Sequence, residues 1–200
     1  MKKFIYLISP NKIYLNFYSD LNKVLRYKNV KFFQLRLKDV NKSSQIKAAR
    51  KIQKILIKNN VKFIINDDFV LASKIGADGC HMGQLDGSIS NARKKLKKKI
   101  LGITCHNSKN LAKKAIKDKA DYIAFGSFFK SKLKPNAISA NLSILKWAKR
   151  EIRKPIIAIG GINNFNYKKL IKAGAKYIAI SSFIWDNPKL KPEFAIKKFK

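Results

Sequence analysis

Two groups of carboxylates in the middle of the chain are the residues best placed to do chemistry. The apolar run at residues 61–65 ends in Asn66, Asp67 and Asp68, and a second run about one helix later ends at Asp86. Only 11 of the 200 residues are acidic, so three carboxylates at the ends of two adjacent predicted strands indicate a site for a hard cation such as Mg²⁺. The alternative is that Asp67 or Asp68 only caps the helix that follows.

The stretch QLRLK at residues 34–38 alternates polar and apolar side chains. In a strand this alternation places Gln34, Arg36 and Lys38 on one face. Three polar groups cannot point into a dry core without partners, so they must line a polar site. An arginine fork and a lysine point charge together suit a pyrophosphate group. The alternative is that this face lies on the outside of the protein.

Glycines and hydroxyls towards the end of the chain are candidates for holding a second phosphate. Gly160 and Gly161 follow an apolar run, and glycines at such a point let backbone N–H groups approach a phosphate. Ser181 and Ser182 follow the next run and would complete a phosphate cup. Two adjacent glycines are also compatible with a simple turn.

The histidine and cysteine content gives weaker indications. His106 follows an apolar run and is compatible with a general base, a phosphate donor or a structural residue. Cys80 and Cys105 lie 25 residues apart without CxxC spacing, so they predict packing thiols rather than a zinc site, a disulfide framework or a nucleophile. Two isolated cysteines fit a reducing cytoplasm, which is the predicted location.

The elements that must position these residues form a regular alternation. Short, β-rich apolar runs alternate with lysine-rich amphipathic segments such as 44–59 and 142–153, and a last helix is expected within 188–200. The runs cover residues 4–8, 32–37, 62–65, 79–82, 100–104, 122–126, 155–159 and 177–181. Eight near-continuous apolar strands, each followed by a helix, favour buried parallel pairing and a single-domain (β/α)₈ TIM barrel over residues 1–200. A doubly wound open sheet is the alternative.

A barrel makes a prediction about function. Polar residues at the carboxyl ends of its strands converge on one face, where such barrels place their active sites, and phosphate is often bound after strands seven and eight. The carboxylates, the QLRLK stretch, Thr104 and the glycine–serine group are therefore expected to share one site.

Charge and hydropathy exclude some other classes. The net charge of +34 would favour nucleic-acid binding, but 39 of the 45 basic residues are lysines spread over nearly every predicted helix. The densest basic run, residues 93–99, is predicted to be a solvated helix face. The charge would still attract anionic substrates such as phosphates. No apolar run is long enough for a membrane span, and the short run after Met1 predicts a strand rather than a signal peptide.

Several motifs together resemble the thiamine-phosphate synthase family and its TenI-like relatives. The resemblance runs over nearly the whole chain, in the family's order and spacing. It is carried by QLRLK (34–38), NDD (66–68), ADGCHMGQLD (77–86), GITCHNS (102–108), ADYIAFGSFF (120–129), PIIAIGGI (155–162) and the final GAKYIAISS.

The resemblance implies a (β/α)₈ barrel that joins 4-amino-2-methyl-5-(diphosphooxymethyl)pyrimidine to 5-(2-phosphoethyl)-4-methylthiazole. It implies Mg²⁺ as cofactor, bound by Asp67 and Asp86, and these two small molecules as partners, with no nucleic acid or membrane. The residues implied for the pyrimidine diphosphate are Gln34, Leu35, Arg36, Leu37, Lys38, Asn66, Thr104 and Lys134. Those implied for the thiazole phosphate are Gly160, Gly161, Ser181 and Ser182, and Ser131, which keeps the hydroxyl of the family's first loop threonine, is implied to bind substrate. Among these, Arg36, Lys38 and Lys134 are implied to stabilise the leaving pyrophosphate.

The chain departs from the family at the loop after the sixth strand. The family typically has a Pro-Thr-x-Thr-Lys sequence there, whereas Lys130 replaces the proline and Leu133 replaces the second threonine. The sequence therefore leaves open a TenI-like thiazole tautomerase that would use His106 for proton transfer without Mg²⁺. A basic nucleic-acid-binding protein is a third, less favoured alternative, and an oligomer is possible.

Overall fold

The computed structural model describes residues 4–129 and 139–200, in which eight parallel strands close into a barrel inside a layer of helices. The strands are β1 (Ile5–Ile8), β2 (Val30–Leu35), β3 (Lys62–Asn66), β4 (Gly79–Met82), β5 (Ile100–Thr104), β6 (Tyr122–Phe125), β7 (Ile156–Ile159) and β8 (Tyr177–Ile180). The helices are α1 (Phe17–Leu25), α2 (Lys42–Lys58), α3 (Phe69–Lys74), α4 (Ile89–Leu96), α5 (Lys109–Lys117), α6 (Leu142–Glu151), α7 (Tyr167–Ala173), α8 (Ser182–Trp185) and α9 (Pro192–Ile196). Within these ranges, no helix has the length and apolar character to cross a membrane.

Each strand pairs in parallel with the next one along the chain, and β1 pairs with β8 to close the ring. This confirms the predicted (β/α)₈ barrel, and the alternative prediction of a doubly wound open sheet is wrong. Most strands lie within one or two residues of the predicted runs. The strand predicted at 32–37 starts and ends two residues earlier, and the last helix is only the short α9.

Alternation along the strands produces two separate apolar layers. Tyr6, Phe32, Ile64 and Tyr177 belong to a cluster inside the barrel. Their sequence neighbours, such as Phe33, point outward and pack in the larger layer between barrel and helices. Side chains of successive strand residues point to opposite faces, and that is why near-continuous apolar strands serve both layers. Burying a side chain such as Phe33 completely contributes about 1.5–3 kcal/mol.

Gly102 in β5 makes room for a large ring inside the barrel. It pairs with His81 of β4 on one side and Tyr122 of β6 on the other. A Cβ atom at this position would lie 1.9 Å from Cζ of the Tyr122 ring. The glycine therefore lets Tyr122 cross over β5 and reach His81, with the two rings stacked at 5.6 Å between centroids.

Replacing Gly102 by alanine is expected to destabilise the protein by about 3 kcal/mol, because neither the strand nor the buried ring can move away at low cost. Urea denaturation of the wild type and the variant measures this free energy of unfolding. The same replacement in a Tyr122→Ala background is expected to cost much less, since the clashing ring is gone. Equal costs in both backgrounds would contradict the explanation.

Arg93 in α4 corrects the prediction that residues 93–99 form a solvated helix face. Its guanidinium is only 18% exposed and donates to the carbonyls of Lys97, Lys99 and Lys119 and to the carboxylate of Asp121, at 2.6–2.8 Å. The end of a helix and the starts of two strands leave carbonyls without partners, and one arginine fork satisfies several of them. The prediction was wrong for Arg93 because a count of charges does not reveal such acceptors.

Candidate active site

The polar residues predicted at the strand ends lie around the carboxyl-terminal mouth of the barrel. Gln34 in β2 points inward and is only 2% exposed. Its side-chain nitrogen has no hydrogen-bond partner within the residues that the structure describes. A buried amide that is left unpaired costs free energy, so this position calls for an acceptor on a bound ligand.

Arg36 lies just beyond β2, where the loop after β1 takes over from the strand ladder. The backbone N–H of Arg36 donates to the hydroxyl of Ser9 (2.9 Å), whose own hydrogen is shared between the carbonyls of Pro10 (3.0 Å) and Arg36 (3.2 Å). The guanidinium donates to the side-chain oxygen of Asn11 (2.7 Å). Lys38 donates its backbone N–H to the Asn11 carbonyl and leaves its side chain exposed. These bonds explain why β2 ends at Leu35 rather than at residue 37.

Arg36 brings a positive charge to the mouth, close enough to Asp67 for the two charges to interact. Burial lowers the pKa of Arg36, and the nearby charge of Asp67 opposes that shift. An arginine stays cationic in either case. Leu35 and Leu37, also expected in the pyrimidine site, turn their side chains to the outer apolar layer, so they offer the mouth only their backbone.

Ser9 and Asn11 were missed by the sequence analysis. The first apolar run ends in Ser-Pro-Asn, which has the composition of a turn and none of the charge that marks the other strand ends. The signal that was available is its position: in a barrel, the residues after the first strand face the same mouth as those after the other seven.

Asp67 and Asp86 stand on neighbouring loops, after β3 and β4. Asp67 is exposed, has a φ of 65° and donates its backbone N–H to the His81 carbonyl at 2.7 Å. Asp86 accepts the backbone N–H of Gly83 at 2.6 Å. Burial raises the pKa of the Cys80 thiol, and the charges of Asp67, Asp68 and Asp86 raise it further. All three carboxylates are therefore close enough to Cys80 of β4 for their charges to act on it.

This arrangement fits Mg²⁺. Across residues 4–129 and 139–200, no cluster of three or more His, Cys, Asp or Glu residues could enclose a metal. Two carboxylates at an open mouth are what Mg²⁺ uses when it completes its shell with water and substrate phosphates. Asn66, at the end of β3, places its half-buried side chain beside this pair of loops.

Asp68 has the capping role that the sequence left open. It is the N-cap of α3, and its side chain accepts the backbone N–H of Leu71 at 2.6 Å and the ammonium group of Lys42. Burial works to raise its pKa, but the bonds from Lys42 and from the helix backbone hold the pKa below its usual value. The cap and the candidate metal ligand are thus adjacent but separate residues.

The glycines and serines predicted to hold a phosphate lie after β7 and β8. Gly160 and Gly161 have φ values of 104° and 60°, and a Cβ at Gly160 would lie 1.9 Å from the Ser127 hydroxyl oxygen. Ser181 donates its hydroxyl to the carbonyl of Ser9 at 3.0 Å, and Ser182 begins α8. Ser9 therefore joins this side of the mouth to the Arg36 side.

Ser131, Lys134 and the altered positions Lys130 and Leu133 lie outside the described residues. The flanks of this segment are described. Phe129 donates its N–H to the carbonyl of Gly160 (3.1 Å), and Ala140 donates to that of Ser127 (2.8 Å). Phe129 therefore lies against the glycine pair that follows β7, and Ala140 lies against the residues that follow β6.

Thr104, at the end of β5, is half-buried, and its hydroxyl oxygen lies 2.9 Å from Nε2 of His81. The sequence analysis did not single out His81, because a lone histidine inside an apolar run gives no signal of its own. His106 lies two residues beyond Thr104 with a φ of 50°, and its carbonyl accepts the N–H of Gly126. Cys105 faces outward, and burial raises its pKa to about 12, as expected of a packing thiol.

Comparisons with known proteins show the family of this chain. A family model described as thiamine monophosphate synthase matches residues 5–184. The chain belongs to the thiamine monophosphate synthase family. It is 55% identical over 200 residues to a thiamine-phosphate synthase of Pelagibacter ubique (strain HTCC1062), covering 100% of this chain and 97% of that protein. It is 39% identical to one of Erythrobacter litoralis (strain HTCC2594), over 92% and 88% of the two chains.

A solved structure extends the likeness to the fold. A thiamine phosphate pyrophosphorylase from Pyrococcus furiosus superposes with a TM-score of 0.87 at 23% identity, over 98% of this chain and 93% of that one. Membership of the family confirms the resemblance read from the motifs. It also confirms that the chain is an enzyme, of the transferase type that the motifs implied.

Proposed function

We propose that this enzyme condenses 4-amino-2-methyl-5-(diphosphooxymethyl)pyrimidine with 5-(2-phosphoethyl)-4-methylthiazole to give thiamine phosphate and pyrophosphate, with Mg²⁺ as cofactor. The observation that carries the proposal is the pairing of a buried, unpartnered Gln34 amide with the partly buried Arg36 at the mouth of a barrel of this family. The Gln34 amide needs a hydrogen-bond acceptor, and Arg36 needs an anion. A pyrimidine diphosphate offers both.

The chemistry needs charge stabilisation more than proton transfer. The bond between the exocyclic methylene carbon and the diphosphate oxygen breaks, and its electron pair leaves with the diphosphate. The thiazole nitrogen then donates its lone pair to the same carbon, so the products balance without a protein nucleophile. Arg36 and Lys38 would stabilise the departing charge, as Lys134 would from its loop. Bound Mg²⁺, held by Asp67 and Asp86, would add positive charge at the diphosphate oxygens.

The second substrate is assigned to the opposite side of the mouth. Gly160, Gly161, Ser181 and Ser182 would hold the thiazole phosphate, with Ser131 from the neighbouring loop. The bond from Ser181 to the Ser9 carbonyl supports this placement, since Ser9 also braces Arg36. Two anionic substrates would then meet across one mouth, held in an orientation that lets the nitrogen approach the carbon.

The proposal is tested by incubating the protein with both phosphorylated precursors, with and without Mg²⁺, and measuring thiamine phosphate and pyrophosphate in equal amounts. We expect product only with both precursors and Mg²⁺. If no product forms in Mg²⁺, the proposal is wrong. Isomerisation of a thiazole phosphate without Mg²⁺ would instead indicate a tautomerase that relies on His106.

Restoring the family's threonine at Leu133 is expected to lower KM for the thiazole phosphate about tenfold. A hydroxyl at this position would add one hydrogen bond to a charged phosphate, and such a bond is worth about that factor. KM for the pyrimidine diphosphate, measured in the same initial-rate experiments, should stay constant. If KM for the thiazole phosphate is unchanged, the leucine does not weaken the site.

A further inference from the structure

A line of buried polar groups crosses the inside of the barrel and ends at Thr104. The hydroxyls of Tyr6 and Tyr122 lie 2.8 Å apart, the Tyr122 hydroxyl lies 3.0 Å from Nδ1 of His81, and Nε2 of His81 lies 2.9 Å from the Thr104 hydroxyl. Tyr6, Tyr122 and His81 are each at most 8% exposed. These four side chains come from β1, β6, β4 and β5, and we call them the polar chain.

The packing around the polar chain fixes the position of the imidazole. The His81 ring stacks on Tyr122 with an angle of 9° between planes, and the Tyr6 ring meets Tyr122 edge-on at 5.8 Å. Gly102 allows this stack, because any side chain there would displace Tyr122. The histidine therefore cannot rotate to exchange partners without moving a buried ring.

The hydrogen bonds of the polar chain can point in one of two directions, with each group donating either towards Thr104 or towards Tyr6. A neutral imidazole donates from one nitrogen and accepts at the other, so the choice made at one end determines every bond along the line. Burial raises the pKa of both tyrosines well above the ordinary value, so both hydroxyls keep their hydrogens.

The Tyr6 end decides between the two directions. Within the described residues, the hydrogen bond recorded for the Tyr6 hydroxyl is the one with Tyr122. If the line ran towards Tyr6, the hydrogen of that hydroxyl would be buried without an acceptor. A buried unpaired donor is costly, whereas an oxygen with a spare lone pair is better tolerated.

We infer that the polar chain runs from Tyr6 through Tyr122 and His81 to Thr104, and that His81 is a positioning residue that makes Thr104 a hydrogen-bond donor to the ligand. Tyr6 donates to Tyr122, Tyr122 donates to Nδ1 of His81, and Nε2–H of His81 donates to the oxygen of Thr104. The threonine's own hydrogen is then directed away from His81, to an acceptor atom of the ligand. In a pyrimidine such an acceptor is a ring nitrogen. An amino group is itself a donor, so it would not accept the hydrogen of Thr104. Only this identification of the ligand rests on the proposed function.

The direction of the polar chain can be measured without any substrate. The protein contains only two histidines, and the variant His106→Asn identifies the signals of His81. Long-range ¹⁵N–¹H NMR spectra of the full-length protein then report which nitrogen of His81 is protonated. We expect a hydrogen on Nε2 alone. In Tyr122→Phe, which removes the donor to Nδ1, this tautomer should lose its dominance. Protonation at Nδ1, or at both nitrogens, in the wild type would overturn the inference.

Kinetics test whether the direction matters for binding. Tyr122→Phe is expected to raise KM for the pyrimidine diphosphate about fivefold to thirtyfold while kcat and KM for the thiazole phosphate change little. In a Thr104→Val background the same change should have no further effect, because the group that it acts through is gone. Tyr177→Phe is the control, since Tyr177 belongs to the same inner cluster but not to the polar chain.

An equal KM effect of Tyr122→Phe with and without Thr104 would contradict the positioning role. The two proposals also fail separately. A protein that makes no thiamine phosphate but carries the Nε2 hydrogen would refute the activity and leave the direction of the polar chain standing. An active protein protonated at Nδ1 would do the reverse.

Discussion

Replacing Arg36 by glutamine is expected to lower kcat for thiamine phosphate formation about 10²–10³-fold. Glutamine keeps much of the length and one donor group but removes the positive charge that, in the proposed mechanism, stabilises the departing diphosphate. The loss of one preorganised donor to a developing negative charge typically has this size. KM for the pyrimidine diphosphate should rise as well, because the charge also attracts the substrate before it reacts.

The fold is expected to tolerate this change. The bonds that hold the loop after β1 against residue 36 use the Arg36 backbone and the Ser9 hydroxyl, and a glutamine leaves them intact. Only the contact from the guanidinium to Asn11 is lost. The thermal midpoint should therefore stay close to that of the wild type.

Steady-state kinetics with each precursor varied in turn measure the effect of Arg36→Gln. The matched control is Arg153→Gln, which also removes one positive charge. Arg153 is exposed and lies between α6 and β7, at the end of the barrel opposite to the mouth. If both variants lose activity equally, the cause is the overall positive field and not the position of Arg36.

The fold was predictable because apolar runs and amphipathic segments alternate regularly along the sequence. Strands such as Tyr122–Phe125 and Tyr177–Ile180 are apolar at every position, because one set of side chains fills the barrel and the next packs under the helices. Parallel strands of this kind need helices on the outer side, and the segments between the runs have helical character. The boundaries were less accurate where tertiary contacts decide them, as at β2, which the Ser9 and Asn11 bonds end early.

Charge marks one part of the candidate site in the sequence, and position at the ends of the predicted strands marks another part, such as Thr104 and Gly160. Asp67, Asp86 and Arg36 stand out in their own segments, and the barrel brings them to one mouth. Ser9, Tyr6, His81 and Tyr122 do not stand out, because the contacts that bring them to the site join residues more than 20 positions apart, for example Tyr122 with His81. The sequence shows the periodicity of apolar and polar residues within a segment. It does not show the distance between two side chains on different strands.

Replacing Asp67 by asparagine is expected to lower kcat about 10²-fold or more and to raise the Mg²⁺ concentration needed for half-maximal rate. Asparagine keeps an oxygen in place but lacks the charge that a hard cation requires. A metal ion that stabilises a leaving phosphate contributes several kcal/mol, which sets the size of the loss. The backbone should not resist the change, because Asp67 has a φ of 65° and asparagine is among the residues that adopt this conformation readily.

The neighbouring variant Asp68→Asn provides the control for charge. It removes one negative charge from the same segment, so the long-range field of the protein changes equally in both variants. Asparagine is also a good N-cap, and the bond to the Leu71 N–H can persist, so α3 should keep its stability. Mg²⁺ titrations of the initial rate should therefore separate the two variants, with Asp68→Asn close to the wild type.

The comparison decides between a metal ligand and a general electrostatic effect. A Mg²⁺ requirement raised only in Asp67→Asn locates the cation at that carboxylate. Equal changes in both variants would show that the enzyme responds to negative charge near Arg36 rather than to a ligand at position 67. If Asp67→Asn needs no more Mg²⁺ than the wild type, Asp67 is not a ligand of the metal. Asp86 would then be the next carboxylate to test.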